Sequence, residues 1–386
     1  MVAARSRATS RLILIDANDW EFGGIAVGAE PAPDFVAEFK VITSNAAAEY
    51  GVKSGGEALF VTKSGTNNWH GDAYNFLQND ALNARDYFDA TDKATRIDRN
   101  NYGFASGGAL RRDKTFLFGG WEQLKVIGGG FTTLAYVPSA AAIATVTDTT
   151  IKNLINKYLP TATGSTTNSE VGTVSQQFSA PTNSYQFLLR GDQNFSNRHS
   201  LTLRYFQATG TQVLTFPAFN TLAGFDSNLH NESRNANITD SFMLSLVTNN
   251  QLQLGYDRSV AMLPPQNGLV SPRFTVSGLV GFGSLPYFPQ GRVFDVYQLN
   301  DIVSHIAGKH ILKLGIDGRR ISDGSVNLPL FSRISLMRNA KSLQLMGVAC
   351  RLSFVEDQSE KKTGIKKERK KRAAYQILEA QAVTAG

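Results

Sequence analysis

The feature that most constrains this chain is a two-residue hydrophobic period, repeated between connections that are alternately short and long. Tyr185, Phe187 and Leu189 alternate with Gln186, Arg190 and Asp192, and Leu201, Leu203 and Tyr205 with Thr202 and Arg204. Phe242, Leu244 and Leu246 alternate with Ser241, Met243 and Ser245, and Leu252, Leu254 and Tyr256 with Gln251, Gln253 and Asp257. Leu312, Leu314 and Ile316 do the same against Lys313, Gly315 and Asp317. Successive side chains of a strand point to opposite faces, so each segment presents one apolar and one polar face. The pattern predicts nine strands near 69–78, 101–110, 115–124, 184–193, 200–208, 237–246, 250–259, 293–304 and 310–320. Short turns are expected at Arg111–Lys114, Asn194–His199, Val247–Asn249 and His305–Lys309, and long loops at about 79–100, 125–183, 209–236 and 260–292.

That sorting of connections is what a transmembrane barrel requires, with short turns on the periplasmic side and long loops outside. A soluble sandwich has no reason to sort its loops by side. Strands of about 10 residues, tilted, suffice to cross hydrocarbon. No run approaches the roughly 20 apolar residues of a spanning helix. Gly 34, Phe 24 and Tyr 12, with abundant Asn, Ser and Thr, favour strands and turns over helices. Tyr74, Phe76, Phe116, Phe118 and Trp121 lie where an interfacial aromatic girdle would draw on them; in a soluble fold the same residues would be core.

The long loop 125–183 has its own character. Pro138 to Pro160 reads as helical, with Ile143, Val146, Ile151, Leu154 and Ile155 at helical spacing, and the following TATGSTTNSEVG reads as flexible. Together they suggest an external cap.

Little in the chain suggests chemistry. The single cysteine, Cys350, permits neither an intrachain disulfide nor a cysteine metal site. His70, His199, His230, His305 and His310 are scattered, and only His305 and His310 are placed to meet across a turn, so no metal is expected. Thr62–Asn67 lacks the order of a phosphate-binding loop, and Gly128–Gly130 and Gly281–Gly283 are too sparse for a nucleotide fingerprint. With no paired carboxylates, nucleophile elbow or ligand cluster, an enzyme is not expected, nor any cofactor. The net charge of +7 is not a nucleic-acid signature: residues 351–386 carry nine Lys or Arg against five Asp or Glu, and little excess remains elsewhere. The opening residues contain only the apolar run Leu12–Ile15, too short for a secretory signal. The chain is therefore read as cytoplasmic or as lacking its natural start.

One segment is more specific than its patterning. From Ala48 to Asp89 the pieces Glu49-Tyr50-Gly51, Ser54-Gly55-Gly56, Val61-Thr62-Lys63-Ser64-Gly65-Thr66-Asn67, His70-Gly71, Asn79-Asp80-Ala81-Leu82-Asn83-Ala84-Arg85 and Tyr87-Phe88 follow in order. Asn101-Tyr102-Gly103, Arg112-Asp113-Lys114-Thr115-Phe116, Asp192–Ser196, Gly308-Lys309-His310 and Lys313-Leu314-Gly315 come later; Leu14-Ile15-Asp16 and Phe22–Ala26 lie upstream. This series resembles the plug-to-barrel junction and early strands of Oar-like TonB-dependent outer-membrane receptors. The chain departs from that pattern at Glu57-Ala58-Leu59-Phe60, where the family has small or β-branched residues and an Asn, and after about residue 325.

The resemblance implies an all-β chain: residues 1–67 the C-terminal part of a plug, 68–325 about nine strands of a 22-stranded transmembrane antiparallel β-barrel, and 326–386 a basic tail, read as frameshifted. It implies an outer-membrane location, contact with membrane lipid, coupling to TonB, and uptake of a bulky ligand whose contact residues cannot be named. The TonB box, the first half of the plug and the preceding regulatory-like domain are not in the chain. A partial barrel leaves two strand edges unpaired, at several kcal/mol per group in lipid. The expectation is therefore a fragment, from a decayed or truncated gene, that does not transport alone. The alternative is a soluble or surface-exposed β-rich adhesin or glycan-binding protein, which would bury its apolar strand faces.

Overall fold

The computed structural model describes residues 9–12, 15–16, 31–42, 57–84, 96–215, 221–266, 273–285, 288–308, 310–327 and 334–336, all within one compact unit spanning 1–350. The period-two segments form one nine-stranded antiparallel sheet: β1 (His70–Asn79), β2 (Ile97–Arg111), β3 (Thr115–Gly128), β4 (Thr182–Ser196), β5 (His199–Leu214), β6 (Ser227–Ser245), β7 (Thr248–Leu263), β8 (Gln290–Ala307) and β9 (His310–Asn327). Each strand pairs with its neighbour in sequence, so the sheet is an up-and-down meander with β1 and β9 as its edges. Among the described residues it does not close into a barrel. All nine expected strands are present. Most run longer than expected, with much of the extra length at the long-loop ends, where Thr, Asn and Ser continue the ladder after the apolar alternation has faded.

The short connections are uniformly tight, and Asp113 occupies the left-handed region at φ 61° in the first of them, a conformation that Asp tolerates better than most residues. Register shifts fall just before three of these turns, between Ala109 and Arg111, Asn194 and Ser196, and Met243 and Ser245. A backbone hydrogen bond then ties each hairpin to the next: Asn194 N–H donates to Lys114 O (2.7 Å), Met243 N–H to Arg198 O (2.8 Å) and Ile306 N–H to Val247 O (2.8 Å). The bulges bend the strand ends and keep the rim paired.

The two faces of the sheet are inverted relative to a soluble protein. On β6 the even residues Arg234 and Ile238 are exposed, whereas Ser233, Asn235 and Asn237 are buried. On β7 Leu254 is 42% exposed and its neighbour Gln253 2%. On β8 Tyr297 and Leu299 face out, while Gln298 and Asn300 face in. An apolar outer face and a polar, buried inner face are what lipid outside and a filled lumen inside demand. A soluble adhesin would have the opposite sense.

The outward apolar stripe also drifts along the ladder. On β3 it runs Leu117–Trp121, centred on Gly119. The ladder row through Gly119 passes Leu189, Tyr205, Ala236, Tyr256 and Tyr297 to reach Arg320 on β9. There the stripe is Leu312–Ile316, centred on Leu314, six residues nearer the short-turn end. Six residues over six inter-strand steps, at ~3.3 Å rise and ~4.8 Å spacing, require a tilt of about 35°. A horizontal lipid band across tilted strands produces this drift.

The expected girdle residues need correction. Trp121 does face out, level with Phe104 (ring centroids 6.5 Å apart). Tyr74, Phe76, Phe116 and Phe118 share the inward parity, and Phe118 is buried. Strand β3 is apolar on both faces because a second element packs inside it. The outward aromatics are instead Tyr102, Phe104, Trp121, Tyr185, Phe187, Tyr205, Phe242, Tyr256 and Tyr297. Two carboxylates interrupt the outer face towards the short turns. Asp240 is held by His199 (2.7 Å) and Asp301 by Asn250 (2.6 Å).

Inside lies a small N-terminal sheet ordered Ile15–Asp16, Thr9–Leu12, Glu57–Thr62 and Val36–Ile42, with Thr9–Leu12 parallel to Glu57–Thr62. The departing residues Glu57–Phe60 thus form an ordinary strand, and Phe60 packs on Phe39 at 5.0 Å. Glu49–Gly56 and Phe22–Ala26, which carry part of the resemblance, lie outside the described residues, as does Cys350. Within 326–386, Ile334–Leu336 pairs in parallel with Phe274–Val276.

The face assignment is testable by cysteine scanning in a Cys350→Ser background with a bilayer-confined fluorescence quencher. Labels at 238, 254 and 299 should be strongly quenched and labels at 237, 253 and 298 weakly. Equal quenching at neighbouring positions would contradict the inverted sheet.

Candidate functional site

Three arrangements stand out: the seam between the small sheet and the inner wall, the linker joining them, and the cap made by the long loops. At the seam Phe35 is fully buried with Ala32, Ala105, Phe118, Leu188 and Phe206. The wall makes room for it with Gly120, where an added Cβ would overlap the Phe35 ring. Around this contact the polar groups are satisfied across the seam. Ala32 N–H donates to Gln186 Oε1 (2.8 Å), and Arg190 Nη1 donates to Thr62 O (2.7 Å) and Thr62 Oγ1 (3.2 Å). Asp192 pairs with the Arg190 guanidinium at 2.9 Å and accepts from Thr202 Oγ1 at 2.7 Å. Arg190 and Asp192 are both largely buried, so this charge pair is costly to break. Higher on the wall, Tyr74 donates to Glu122 (2.6 Å).

The linker Lys63–Trp69 is fastened to the wall rather than free. Lys63 N–H donates to Phe35 O (2.8 Å). Gly65 runs so close to β2 and β3 that a Cβ there would lie 2.5 Å from Leu117 O and 2.6 Å from Gly108 O. Asn67 clasps the first short turn, donating to Asp113 Oδ1 (2.5 Å) and accepting from Asp113 N–H (2.8 Å). Trp69 lies over Gly108 and donates to Ala109 O (3.1 Å). The glycine- and hydroxyl-rich composition of 63–69 signalled a turn. It did not reveal that each residue type answers a close approach of backbone.

At the far end the long loops fold together. The strands Gly130–Pro138 and Val171–Ser179 pair over their length, with Gly164–Ser165 added at the edge. Helices Ala140–Ala144 and Thr149–Tyr158 connect them, capped by Ser139 and Asp148. The helical reading of 138–160 therefore holds, but the flexible reading of 161–172 does not. Gly164–Ser165 is paired, and Thr166 and Asn168 close the turn into Val171 through their side chains. Ala135, Val137, Val174, Leu222, Phe225, Val280 and Phe282 form one apolar core from three separate loops, with Tyr158 stacked on Phe282 at 5.5 Å. Backbone bonds join the loops, Val280 N–H to Tyr136 O (2.7 Å) and Leu222 N–H to Gly281 O (2.8 Å). Parts of loops 79–100, 209–236 and 260–292 lie outside the described residues.

His70 meets Thr66 (3.3 Å) and His199 meets Asp240 (2.7 Å). His305 meets Thr248 (2.9 Å) and pairs in the ladder with Leu312 rather than His310. Among the described residues no three metal-ligating side chains converge. An open cleft of about 700 Å³, lined by Lys114, Asn194, Arg198, Ser200, Ser241 and Asn249 among others, lies at the short-turn end, away from the cap.

The seam makes a direct prediction. Gly120→Val should force Phe35 from its notch and cost about 1–3 kcal/mol, read as faster proteolysis of residues 31–62. Phe35→Ala should relieve part of that cost in the double variant. Simple additivity would show that the two residues are not in contact.

Comparison with known proteins agrees with this geometry. Residues 61–329 match the model of the outer membrane beta barrel domain. The outer membrane transporter YddB from Escherichia coli superposes with a TM-score of 0.53 at 12% identity, over 88% of this chain and 43% of that one. The siderophore receptor PirA from Acinetobacter baumannii (TM-score 0.45, 13% identity, 74% and 34% coverage) and the ferric-catecholate import receptor Fiu from E. coli K12 (0.41, 12%, 84% and 55%) are also similar. The chain thus spans about half or less of the length of these structures. No curated protein matches it in sequence. The matched segment runs from the last strand of the small sheet through β9, and its lipid-facing exterior sits in the cell outer membrane: the chain belongs to the outer membrane beta barrel domain family.

Proposed function

We propose that the chain carries the end of the plug and the first nine barrel strands of an Oar-like TonB-dependent receptor that imports a bulky ligand. The observation that carries this reading is the seam: a small sheet packed inside an inverted β-sheet, held by Phe35 and by Arg190 on Thr62. A channel that only admits small solutes has no need of a folded element against its inner wall. A receptor that must open on demand does, and the otherwise polar lumen face confines the apolar surface exposed by such a movement to the cluster around Phe35. The junction residues Val61–Asn67 match the family's motif and form the fastened linker described above. The loop cap, on the side opposite the short turns, is suited to ligand capture.

Transport in this reading is a conformational act rather than chemistry. The linker stays clasped to the first hairpin while the seam yields to a pull on the plug, and the lumen opens along the polar wall. TonB supplies that pull. Among the described residues the outer sides of β1 and β9 have no strand partner, which in lipid costs several kcal/mol per backbone group. We therefore infer that the chain needs further strands to work. A soluble adhesin or glycan-binding protein is disfavoured by the exposed apolar outer face.

The test is uptake and fractionation in cells. Given an export signal, the chain should enter the outer-membrane fraction yet confer no TonB-dependent uptake, and extension by strands that complete the barrel should confer it. Recovery as a stable soluble protein would remove the receptor reading and restore the adhesin. TonB-dependent uptake by the 386-residue chain alone would refute its incompleteness.

A further inference from the structure

The cleft at the short-turn end has a floor that belongs to the lumen face. Asn194 pairs in the ladder with Ser200, and Ser200 with Ser241. Ser241 shares its parity with the buried Ser233, Asn235 and Asn237. Asn249 stands opposite Met243 on the same face. The cleft therefore opens inside the rim and not onto the lipid-facing side. Its volume of about 700 Å³ is that of a small-molecule site.

The polar groups of the cleft are uncommitted. Among the described residues, the side chains of Asn194, Asn197, Ser200, Ser241 and Asn249 make no hydrogen bond within the protein. Lys114 and Arg198 also line it, and neither has an ion-pair partner among the described residues. Arg111 and Arg112 precede Lys114 in the first turn, and the one carboxylate there, Asp113, already accepts from Asn67. Phe195, 56% exposed, adds an aromatic ring to the lining.

This combination selects a class of ligand. Amides and hydroxyls that both donate and accept match the hydroxyl and acetamido groups of a sugar chain. An exposed ring offers a flat apolar surface to the C–H face of a sugar. The two cations call for carboxylates. A phosphate alone would use the cations and leave the amides and hydroxyls idle. A lipid headgroup would have to leave the outer face of the wall to reach a site inside the rim.

We propose that this cleft binds the acidic amino-sugar polymer of the cell wall. Lys114 and Arg198 take its carboxylates, the amides and hydroxyls take its sugar substituents, and Phe195 packs on a ring face. The proposal rests on the outer-membrane reading, in which the short turns face the periplasm. Lys114 follows Asp113 in the turn that Asn67 clasps, so the polymer braces the hairpin to which the linker is tied. A pull on the inner element then works against a fixed wall.

The experiment co-sediments the full chain, in detergent micelles, with purified cell-wall sacculi. The chain should pellet with the sacculi, and less of it as salt is raised. Chitin, which has an amino-sugar backbone without carboxylates, should bind about tenfold less, and phosphatidylglycerol added to the micelles should not release the chain from sacculi. K114Q/R198Q should weaken binding roughly tenfold, a few-fold for each exposed cation, while K114R/R198K retains it. Ser241→Trp, which fills the cleft at unchanged charge, should weaken it as well. No pelleting with sacculi, equal binding to chitin, release by phosphatidylglycerol, or unchanged binding by K114Q/R198Q or by Ser241→Trp would each overturn the proposal. Because binding is read on purified sacculi, absence of the chain from the cellular outer membrane would count against the receptor reading and not against the cleft.

Discussion

The structure depends on one requirement: a backbone amide facing hydrocarbon must find its partner in the neighbouring strand, because no water is there to substitute. From this follow the unbroken meander, the tight turns, and the three hydrogen bonds that tie successive hairpins at the rim. The bulges before the turns are part of the same solution, since they let the strands bend without leaving a gap in the ladder. Side-chain polarity is then assigned by what lies beyond each face. Gln253 and Leu254 are neighbours in sequence with opposite fates because one meets the lumen and the other meets lipid.

How much of this was legible in the sequence depended on whether one strand face was polar. β4, β5 and β7 alternate cleanly, and their existence and approximate ends could be read directly. β3 could be placed but not oriented: Phe116 and Phe118 compete with Leu117 and Trp121 for the outside, and only the buried Phe35 decides between them. The cap was illegible for a different reason. Its core is drawn from three loops distant in sequence, so no local window contains the pattern, and TATGSTTNSEVG looked flexible although its small polar residues suit tight pairing at an edge. At the seam the residues themselves gave little signal, since a lone Phe35 and a period-two Arg190 are unremarkable until their partners are known.

The seam and the linker divide the labour differently. Phe35, Arg190 and Asp192 form a contact that is strong but local, with few residues to disengage. Asn67, Gly65 and Trp69 form contacts distributed over the first hairpin, so the linker does not depend on any one of them. An inner element attached in this way can leave the wall while its point of attachment stays put. The glycines are consistent with that division: Gly120 admits a ring that can withdraw, whereas Gly65 admits backbone that has nowhere else to run.

The number of strands carries a consequence of its own. Nine is odd, so β1 and β9 point the same way across the membrane. Two copies of this chain joined edge to edge would meet at two parallel seams, foreign to the antiparallel order of every other pair in the sheet. A closed wall in which every neighbour runs antiparallel needs an odd number of further strands. A strand added beside β9 or beside β1 keeps that order only if it descends against its neighbour.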